Sequence, residues 1–135
     1  MYRHLVGKRS KKTLNRVERG AAKKFAKAIG DAHPLYVNAE YAKGSRYKQN
    51  IAPPTFPVVF DYGKIKELYL PKTGILHGEE SYHYERPLYI DEEIYCYCEI
   101  NDYEEKQTSN GRMGFLKYRY NGEDILGNRI FTLIR

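Results

Sequence analysis

The chain has 135 residues, of which 41% are hydrophobic and 30% charged, and its formal net charge is +6. This length suits a single core, and we predict one domain over residues 1–135. No run of about 18 apolar residues is present, which argues against a membrane-spanning helix. The polar first residues do not resemble a signal peptide, so we expect a cytoplasmic protein.

Positive charge is concentrated near the start of the chain. Residues 1–30 hold ten Lys or Arg and one acidic residue, Glu18, whereas the remainder has a net charge of minus three. This asymmetry favours an anionic partner, although a solvated helix face would also explain it. Nucleic acid is not the expected partner, because no nucleic-acid-binding motif accompanies the basic residues.

The first predicted element is an amphipathic helix over residues 17–29. Its apolar residues recur at helical spacing, and Gly30 provides a left-handed stop. Asp31 follows in a polar loop. Loops held by a rigid element often carry catalytic groups, although Asp31 could instead bond to the backbone of its own turn. Asn38 can then cap a short helix over residues 39–43.

The segment from Thr55 to Glu67 is predicted to be a buried helix, because apolar residues cover nearly all of its faces. Four alternating segments rich in Tyr, Ile and Phe follow and are predicted to be strands. They lie near residues 78–86, 93–106, 112–121 and 125–134. Asn-Gly pairs at 110–111 and 121–122 predict tight turns between strands. Helices followed by an antiparallel meander form an α+β layout.

The two cysteines, Cys96 and Cys98, lie two apart in one of these alternating segments. Both therefore point to the same side of one strand, which is a poor arrangement for a disulfide between them. No Cys-x-x-Cys or paired His spacing accompanies them, so we predict no metal site and no cofactor. We interpret them as buried, reduced thiols.

Several sequence blocks resemble a known family. The first is Phe25-Ala-Lys-Ala-Ile-Gly-Asp-Ala-His-Pro-Leu-Tyr36, and it is followed by Ile51-Ala-Pro-Pro-Thr-Phe56 and by His77-Gly-Glu79. In this order they resemble the N-terminal half of MaoC-like dehydratases, of the FAS1-like dehydratase type, which act on 3-hydroxyacyl thioesters. The resemblance implies an α+β hot-dog fold, in which an antiparallel sheet wraps around a central helix.

The resemblance also implies catalytic positions. In active hydratases of this family the loop reads Gly-Asp-x-Asn-Pro-Leu-His, and the Asp and the final His form the acid/base pair. Here Asp31 is present, but His33 stands where Asn is usual and Tyr36 stands where the catalytic His is expected. Tyr, with a usual pKa of about 10, can donate a proton but is a poor base at neutral pH. This pattern is typical of substrate-binding halves whose partner carries the complete pair.

Other residues are candidates for the same site. His33 could replace the missing base if it turned toward the substrate, and could otherwise cap its turn. His77 is a further candidate acid/base group, and Gly78 belongs to the strand that passes the reacting centre in related folds. Arg46 and Tyr47 could line the acyl or pantetheine channel.

A thioester oxygen also needs hydrogen-bond donors while it carries negative charge. Pro53 and Pro54 have no N–H, so the first amides that could serve are those of Thr55 and Phe56. The alternative is that the two prolines simply begin the helix.

The leading expectation is a component of an (R)-3-hydroxyacyl-CoA or acyl-ACP dehydratase of fatty acid metabolism, acting as its substrate-binding half. An acyl-CoA thioesterase and a non-catalytic acyl-thioester-binding protein are the alternatives. The implied ligand is an acyl-CoA or acyl-ACP thioester, whose acidic carrier would be attracted by the basic N-terminal segment. The implied assembly is a homodimer, or a heterodimer with a full-motif hot-dog subunit, which would protect open sheet edges.

Overall fold

The main element of the fold is an antiparallel sheet. The structure, a computed structural model, describes residues 2–69, 80–109 and 111–135. Within them the strands are β1 (Thr13–Arg16), β2 (Ser81–Tyr84), β3 (Glu93–Thr108), β4 (Gly111–Glu123) and β5 (Arg129–Ile134). Their spatial order is β1-β3-β4-β5-β2, with every neighbouring pair antiparallel.

Among the described residues, three α-helices lie between β1 and β2 in the chain. They are α1 (Arg19–Ala28), α2 (Pro34–Val37) and α3 (Ala39–Lys43), and short 3-10 helices span Arg3–Leu5 and Phe56–Val59. Helix α1 begins two residues later than predicted, because the amide of Val17 donates to the carbonyl of Glu92 (2.9 Å) and its side chain is buried. None of the helices in the described part of the chain is long and apolar enough to cross a membrane.

The helix predicted from Thr55 to Glu67 is wrong. Only Phe56–Val59 is helical, as a 3-10 turn, and residues 60–69 contain no helix. Prolines lock the backbone at the start of the segment, and Gly63 takes a φ of +74°, which ends any regular helix. The apolar residues of this segment are nevertheless buried, so the pattern indicated burial correctly but not the type of structure.

A chain of aromatic rings joins α1 through this irregular segment to the sheet. The ring of Phe25 packs edge-on against Phe56 with centroids 5.4 Å apart, and Phe56 packs in the same way against Phe60 at 5.3 Å. Phe60 then stacks on Phe131 of β5 at 6.1 Å. Each such pair contributes about 0.5–1.5 kcal/mol beyond the burial of its area. The core therefore lies between the sheet, α1 and residues 52–65.

The β3 strand illustrates the alternation that the sequence predicted. Ile94, Cys96, Cys98 and Ile100 are all buried on its inner face, and the thiols are free. Burial raises the pKa of Cys96 to about 12 and raises that of Cys98. The interpretation of both residues as buried, reduced thiols is confirmed.

The two Asn-Gly pairs behave differently. Thr108 pairs with Gly111, so the β3–β4 hairpin turns where the first pair predicts it, although Asn110 lies outside the described residues. The turn predicted at residues 121–122 is wrong, because both residues lie inside β4. Gly122 faces Phe131, and a Cβ there would lie 2.1 Å from Cε1 of that ring. Close packing against Phe131 therefore requires glycine at position 122, and the chain turns later, at residues 124–128.

Candidate functional site

The site begins where α1 ends. Gly30 takes a φ of +74°, and the amide of Asp31 then donates to the carbonyl of Ala26 at 2.9 Å. This is the left-handed helix termination that the sequence predicts. It leaves the side chain of Asp31 exposed at the start of the loop.

His33 caps the next helical turn. Its Nδ1 accepts a hydrogen bond from the amide of Leu35 at 3.0 Å, and Pro34 occupies the first position of α2. With Nδ1 occupied as an acceptor, the neutral imidazole carries its proton on Nε2. His33 therefore takes the turn-capping role that the sequence offers as its alternative.

Tyr36 is half-buried in the same turn. Burial raises the pKa of its phenol, and the negative charge of Asp31 and the neighbouring Tyr47 raise it further. The phenol therefore remains protonated at neutral pH and acts as a hydrogen-bond donor. The ring of His33 lies 5.9 Å from that of Tyr36. Asp31, His33, Tyr36 and Tyr47 are thus close to one another.

Arg46 and Tyr47 form a second pair at this site. Nη2 of Arg46 donates to the phenol oxygen of Tyr47 at 2.6 Å, and its guanidinium carbon lies 4.8 Å from the ring centroid. The hydroxyl of Ser45 accepts from the amide of Tyr47 at 3.2 Å and fixes the backbone there. Of this pair, Tyr47 is close enough to Tyr36 to contribute to its raised pKa.

The residue that holds this region together is Asn50, whose side chain is buried. Its Nδ2 donates to the carbonyl of Leu35 at 2.7 Å and to that of Asn38 at 3.2 Å. Its Oδ1 accepts from Nη1 of Arg19 in α1 at 2.6 Å. Asn50 therefore ties the Tyr36 loop to α1, and the sequence analysis missed it.

Asn38 performs the capping role predicted for it. Its Oδ1 accepts from the amide of Tyr41 at 3.1 Å and begins α3. The ring of Tyr41 lies 5.8 Å from His33, on an exposed side chain.

Thr55 and Phe56 lie in a different environment. The side chain of Phe56 is buried, and its amide donates to the carbonyl of Pro53 at 2.9 Å. Thr55 is exposed, and its amide has no acceptor among residues 2–69, 80–109 and 111–135. Of this pair, Thr55 is the one whose amide could still bind an oxygen. The predicted site residues His77 and Gly78 lie outside the described residues.

A trough lies on the inner face of the sheet and was not predicted. It has a volume of about 620 Å³, and its lining combines the apolar or aromatic residues Ile65, Leu68, Cys98, Tyr118 and Tyr120 with Lys64 and Lys66. Burial raises the pKa of Tyr118 to about 12 and also raises that of Tyr120, so both phenols are neutral. The alternation in β4 was a signal for these two inward-facing tyrosines. No group of three potential metal ligands occurs in the part of the chain described here.

An antiparallel sheet that covers a buried segment, with the Asp31 loop directly after the first helix, is the arrangement expected of a hot-dog domain. The chain belongs to the family described as "FAS1-like, dehydratase domain region", whose model matches residues 4–133. The predicted family and fold class are therefore confirmed.

Curated relatives carry the name UPF0336 protein. The one from Thermobifida fusca is 36% identical over 92 residues, which cover 64% of this chain and 60% of that protein. The one from Streptomyces griseus is 37% identical over 78 residues, or 53% of this chain and 52% of that protein. The chain thus matches between half and three-fifths of the length of these relatives.

Solved structures share the fold. The truncated HadBC (3R-hydroxyacyl-ACP dehydratase) complex of Mycobacterium tuberculosis aligns with a TM-score of 0.80 at 17% identity, covering 96% of this chain and 93% of that one. The ChsH1–ChsH2 complex of the same organism gives 0.76 at 21%, covering 93% and 80%. The (R)-hydratase of A. caviae gives 0.68 at 15%, covering 96% and 95%.

Proposed function

We propose that this chain is the substrate-binding half of a 3-hydroxyacyl-thioester dehydratase, and that a hot-dog partner supplies the complete Asp/His pair. The observation that carries the proposal is Tyr36. It occupies the position of the family's catalytic His, and its phenol is half-buried beside Asp31 with a raised pKa. The loop therefore places the Asp31 side chain beside a phenol that stays protonated and acts as a hydrogen-bond donor.

The chemistry explains why this substitution matters. Dehydration removes the proton beside the thioester carbonyl and protonates the departing hydroxyl, so the site needs a group that exchanges protons near neutral pH. Tyr36 can donate a hydrogen bond but does not accept a proton there. His33 is already engaged, because its Nδ1 accepts from the amide of Leu35. The loop of this chain is better suited to orient a thioester than to transform it.

The inner-face trough supports binding of an acyl chain. Its volume of about 620 Å³ lies within the range of small-molecule sites. Most of its lining side chains are aliphatic or aromatic, with Lys64 and Lys66 also present, and its phenols and thiol are neutral because burial raises the pKa values of Cys98, Tyr118 and Tyr120. The proposed ligand is accordingly an acyl-CoA or acyl-ACP thioester, with Arg46, Tyr47 and Thr55 as polar contacts near the thioester end.

Two observations support a partner subunit. Within the described residues the sheet ends in two edge strands, β1 and β2, and an open edge of this kind can pair with another chain. Two of the solved structures that share this fold are complexes named for two subunits, HadBC and ChsH1–ChsH2. We propose a heterodimer with a hot-dog subunit that carries Gly-Asp-x-Asn-Pro-Leu-His.

Hydration of crotonyl-CoA tests the proposal. The purified chain alone should give negligible turnover, and addition of a full-motif partner should give rapid turnover. The variant Tyr36→His should gain activity on its own, because it restores the imidazole. Tyr41→His is the matched control, since the ring of Tyr41 lies as near to His33, at 5.8 Å, but outside the loop motif, and this variant should gain no activity.

Two results would contradict the proposal. Rapid turnover by the unmodified chain, unchanged in Tyr36→His, would mean that another group supplies the acid/base chemistry. Release of free thiol from the thioester would instead identify a thioesterase.

A further inference from the structure

The β3–β4 hairpin extends beyond the rest of the sheet. Strand β5 pairs with residues 119–123 of β4, and the exchange of backbone hydrogen bonds ends at Tyr118 and Arg135, at 2.9 and 3.0 Å. Residues 111–117 of β4 then pair only with β3. Among the described residues, their side toward β5 is an open sheet edge. We call residues 102–108 and 111–117 the hairpin arm.

The hairpin arm is fixed by its own side chains. The ring of Tyr103 covers Gly114, where a Cβ would lie 2.5 Å from the phenol oxygen. Nε of Arg112 donates to the carboxylate of Glu105 in the facing strand at 3.0 Å. A two-stranded ribbon is nevertheless only marginally stable by itself, so a third strand would stabilise the arm.

The open edge exposes the backbone groups of Arg112, Gly114 and Leu116. Alternate residues of an antiparallel strand direct their N–H and C=O groups to the same side, and Tyr118 directs both toward β5. The residue opposite Leu116 in β3 is Tyr103, and its backbone groups likewise point away from the facing strand, toward side chains. The N–H and C=O groups of the three open residues have no partner in the part of the chain that the structure describes.

The opposite edge of the hairpin arm is blocked by side chains. The carbonyl of Tyr103 accepts from Nη2 of Arg3 at 2.6 Å, and its amide donates to the carboxylate of Asp102 at 2.8 Å. A strand added to β3 would need both of these backbone groups. Folded proteins commonly block an exposed edge in some such way, whereas no described side chain bonds to the open backbone groups of β4. The difference favours β4 as the edge that another chain uses.

The side chains beside the open edge define the segment that fits it. Phe115 is 46% exposed, and Nζ of Lys106 lies 5.5 Å from its ring centroid. Lys117 is exposed and forms no ion pair within the described residues. Because Phe115 and Lys117 lie two apart in one strand, they share a face of the sheet. An added strand with an apolar side chain beside Phe115 and a carboxylate beside Lys117 would complement both.

We propose that the open β4 edge of the hairpin arm binds an extended segment of a second polypeptide, which adds a strand in line with β5. The segment carries an apolar and an acidic side chain two residues apart. Backbone hydrogen bonds supply the affinity, and Phe115 and Lys117 select the side chains. This edge is separate from β1 and β2, and the proposal does not depend on the roles of Asp31 and Tyr36.

Amide hydrogen exchange measured residue by residue by NMR tests the proposal. The probe is a short blocked peptide in which threonine alternates with valine, glutamate and valine. The amides of Arg112, Gly114 and Leu116 should exchange rapidly in the chain alone and at least tenfold more slowly with saturating peptide. The amides of Met113 and Phe115 face β3, so their exchange should change less. The same peptide with N-methyl groups on the edge that faces β4 should not bind.

Two variants test the backbone and the side-chain contributions separately. Arg112→Pro removes a donor from the open edge but not from the β3 ladder, and should weaken peptide binding about tenfold or more. Arg112→Gln is the matched control, because it also loses the ion pair with Glu105 but keeps the N–H, and it should bind like the unmodified chain. Lys117→Glu should reverse the preference between the glutamate peptide and its lysine counterpart, by about three- to fivefold.

Several results would overturn the proposal. Slow exchange of the three open amides before peptide is added would mean that the chain itself covers the edge. Equal affinity for the N-methylated peptide, equal affinity of the two Arg112 variants, or no binding of the glutamate peptide would also contradict it. The N-methylated comparison uses the unmodified chain, so it remains decisive even if the proline variant unfolds.

Discussion

Replacement of Asn50 by alanine should destabilise the protein strongly, because this side chain joins three parts of the fold. It donates to the carbonyls of Leu35 and Asn38 and accepts from the guanidinium of Arg19. A hydrogen bond to a charged group contributes about 1.5–3 kcal/mol, and a neutral one about 1 kcal/mol. Water that enters the vacated space forms hydrogen bonds of its own and so recovers part of the lost free energy. We therefore expect a loss of about 2–4 kcal/mol.

Urea unfolding followed by circular dichroism measures the effect. With an m-value of about 2 kcal/mol/M, the expected loss lowers the midpoint by about 1–2 M. Asn121→Ala is the matched control. Asn121 is equally buried, but its Nδ2 donates only over 3.3 Å, to Glu99, and its Oδ1 has no partner among the described residues. Asn121→Ala should therefore lower the free energy of unfolding by about 1 kcal/mol. Equal losses in the two variants would refute the reasoning, since truncation of any buried Asn would then explain them.

Two further predictions concern packing and pH. Gly122→Ala should lower the free energy of unfolding by about 1–3 kcal/mol, because its Cβ would lie 2.1 Å from the buried ring of Phe131. Gly20→Ala in α1, where nothing lies within 4 Å of the added Cβ, should raise the free energy of unfolding by about 0.5–1 kcal/mol. Urea midpoints measure both changes. Burial raises the pKa of Tyr118 to about 12, above its value of about 10 in the unfolded chain. The neutral phenol should therefore contribute fully to stability below about pH 10, and this contribution should be lost as the pH rises toward about 12. Urea midpoints measured across that range should fall, and a flat profile would show that the phenol is solvated.

The first half of the site could be predicted from sequence because its geometry is local. The stop at Gly30, the cap at Asn38 and the capping alternative for His33 each depend on neighbours within about four residues. The structure places these features where the pattern indicates. Tyr36 also lies beside Asp31, as the loop motif implies.

The errors have two different physical causes. Residues 55–67 are apolar on nearly all sides, which indicates burial, but proline and Gly63 prevent a helix there. The pair at 121–122 has the composition of a turn, yet Gly122 is required inside β4 by the ring of Phe131. At Gly122 the distant ring of Phe131 overrides the local turn propensity, whereas at residues 55–67 the local effect of proline and Gly63 overrides the apolar pattern.

The remaining parts of the site depend on such distant contacts. Asn50 bonds to residues 12, 15 and 31 positions earlier, and no spacing rule connects them. The N-terminal residues Lys8, Arg9 and Lys11 share a cleft with Lys64 and Lys66, and the hydrogen bond from Ser10 to Tyr62 holds the two segments together. A single sequence shows that these residues are polar or charged, but only the fold brings them together.

We propose that this chain binds an acyl thioester and leaves it chemically unchanged. Equilibrium dialysis of crotonyl-CoA against an excess of the purified chain, followed by chromatography of the retained ligand, tests this most directly. The account predicts that the thioester is retained and recovered as crotonyl-CoA. Recovery of the 3-hydroxyacyl product, or no retention of the thioester at all, would contradict it.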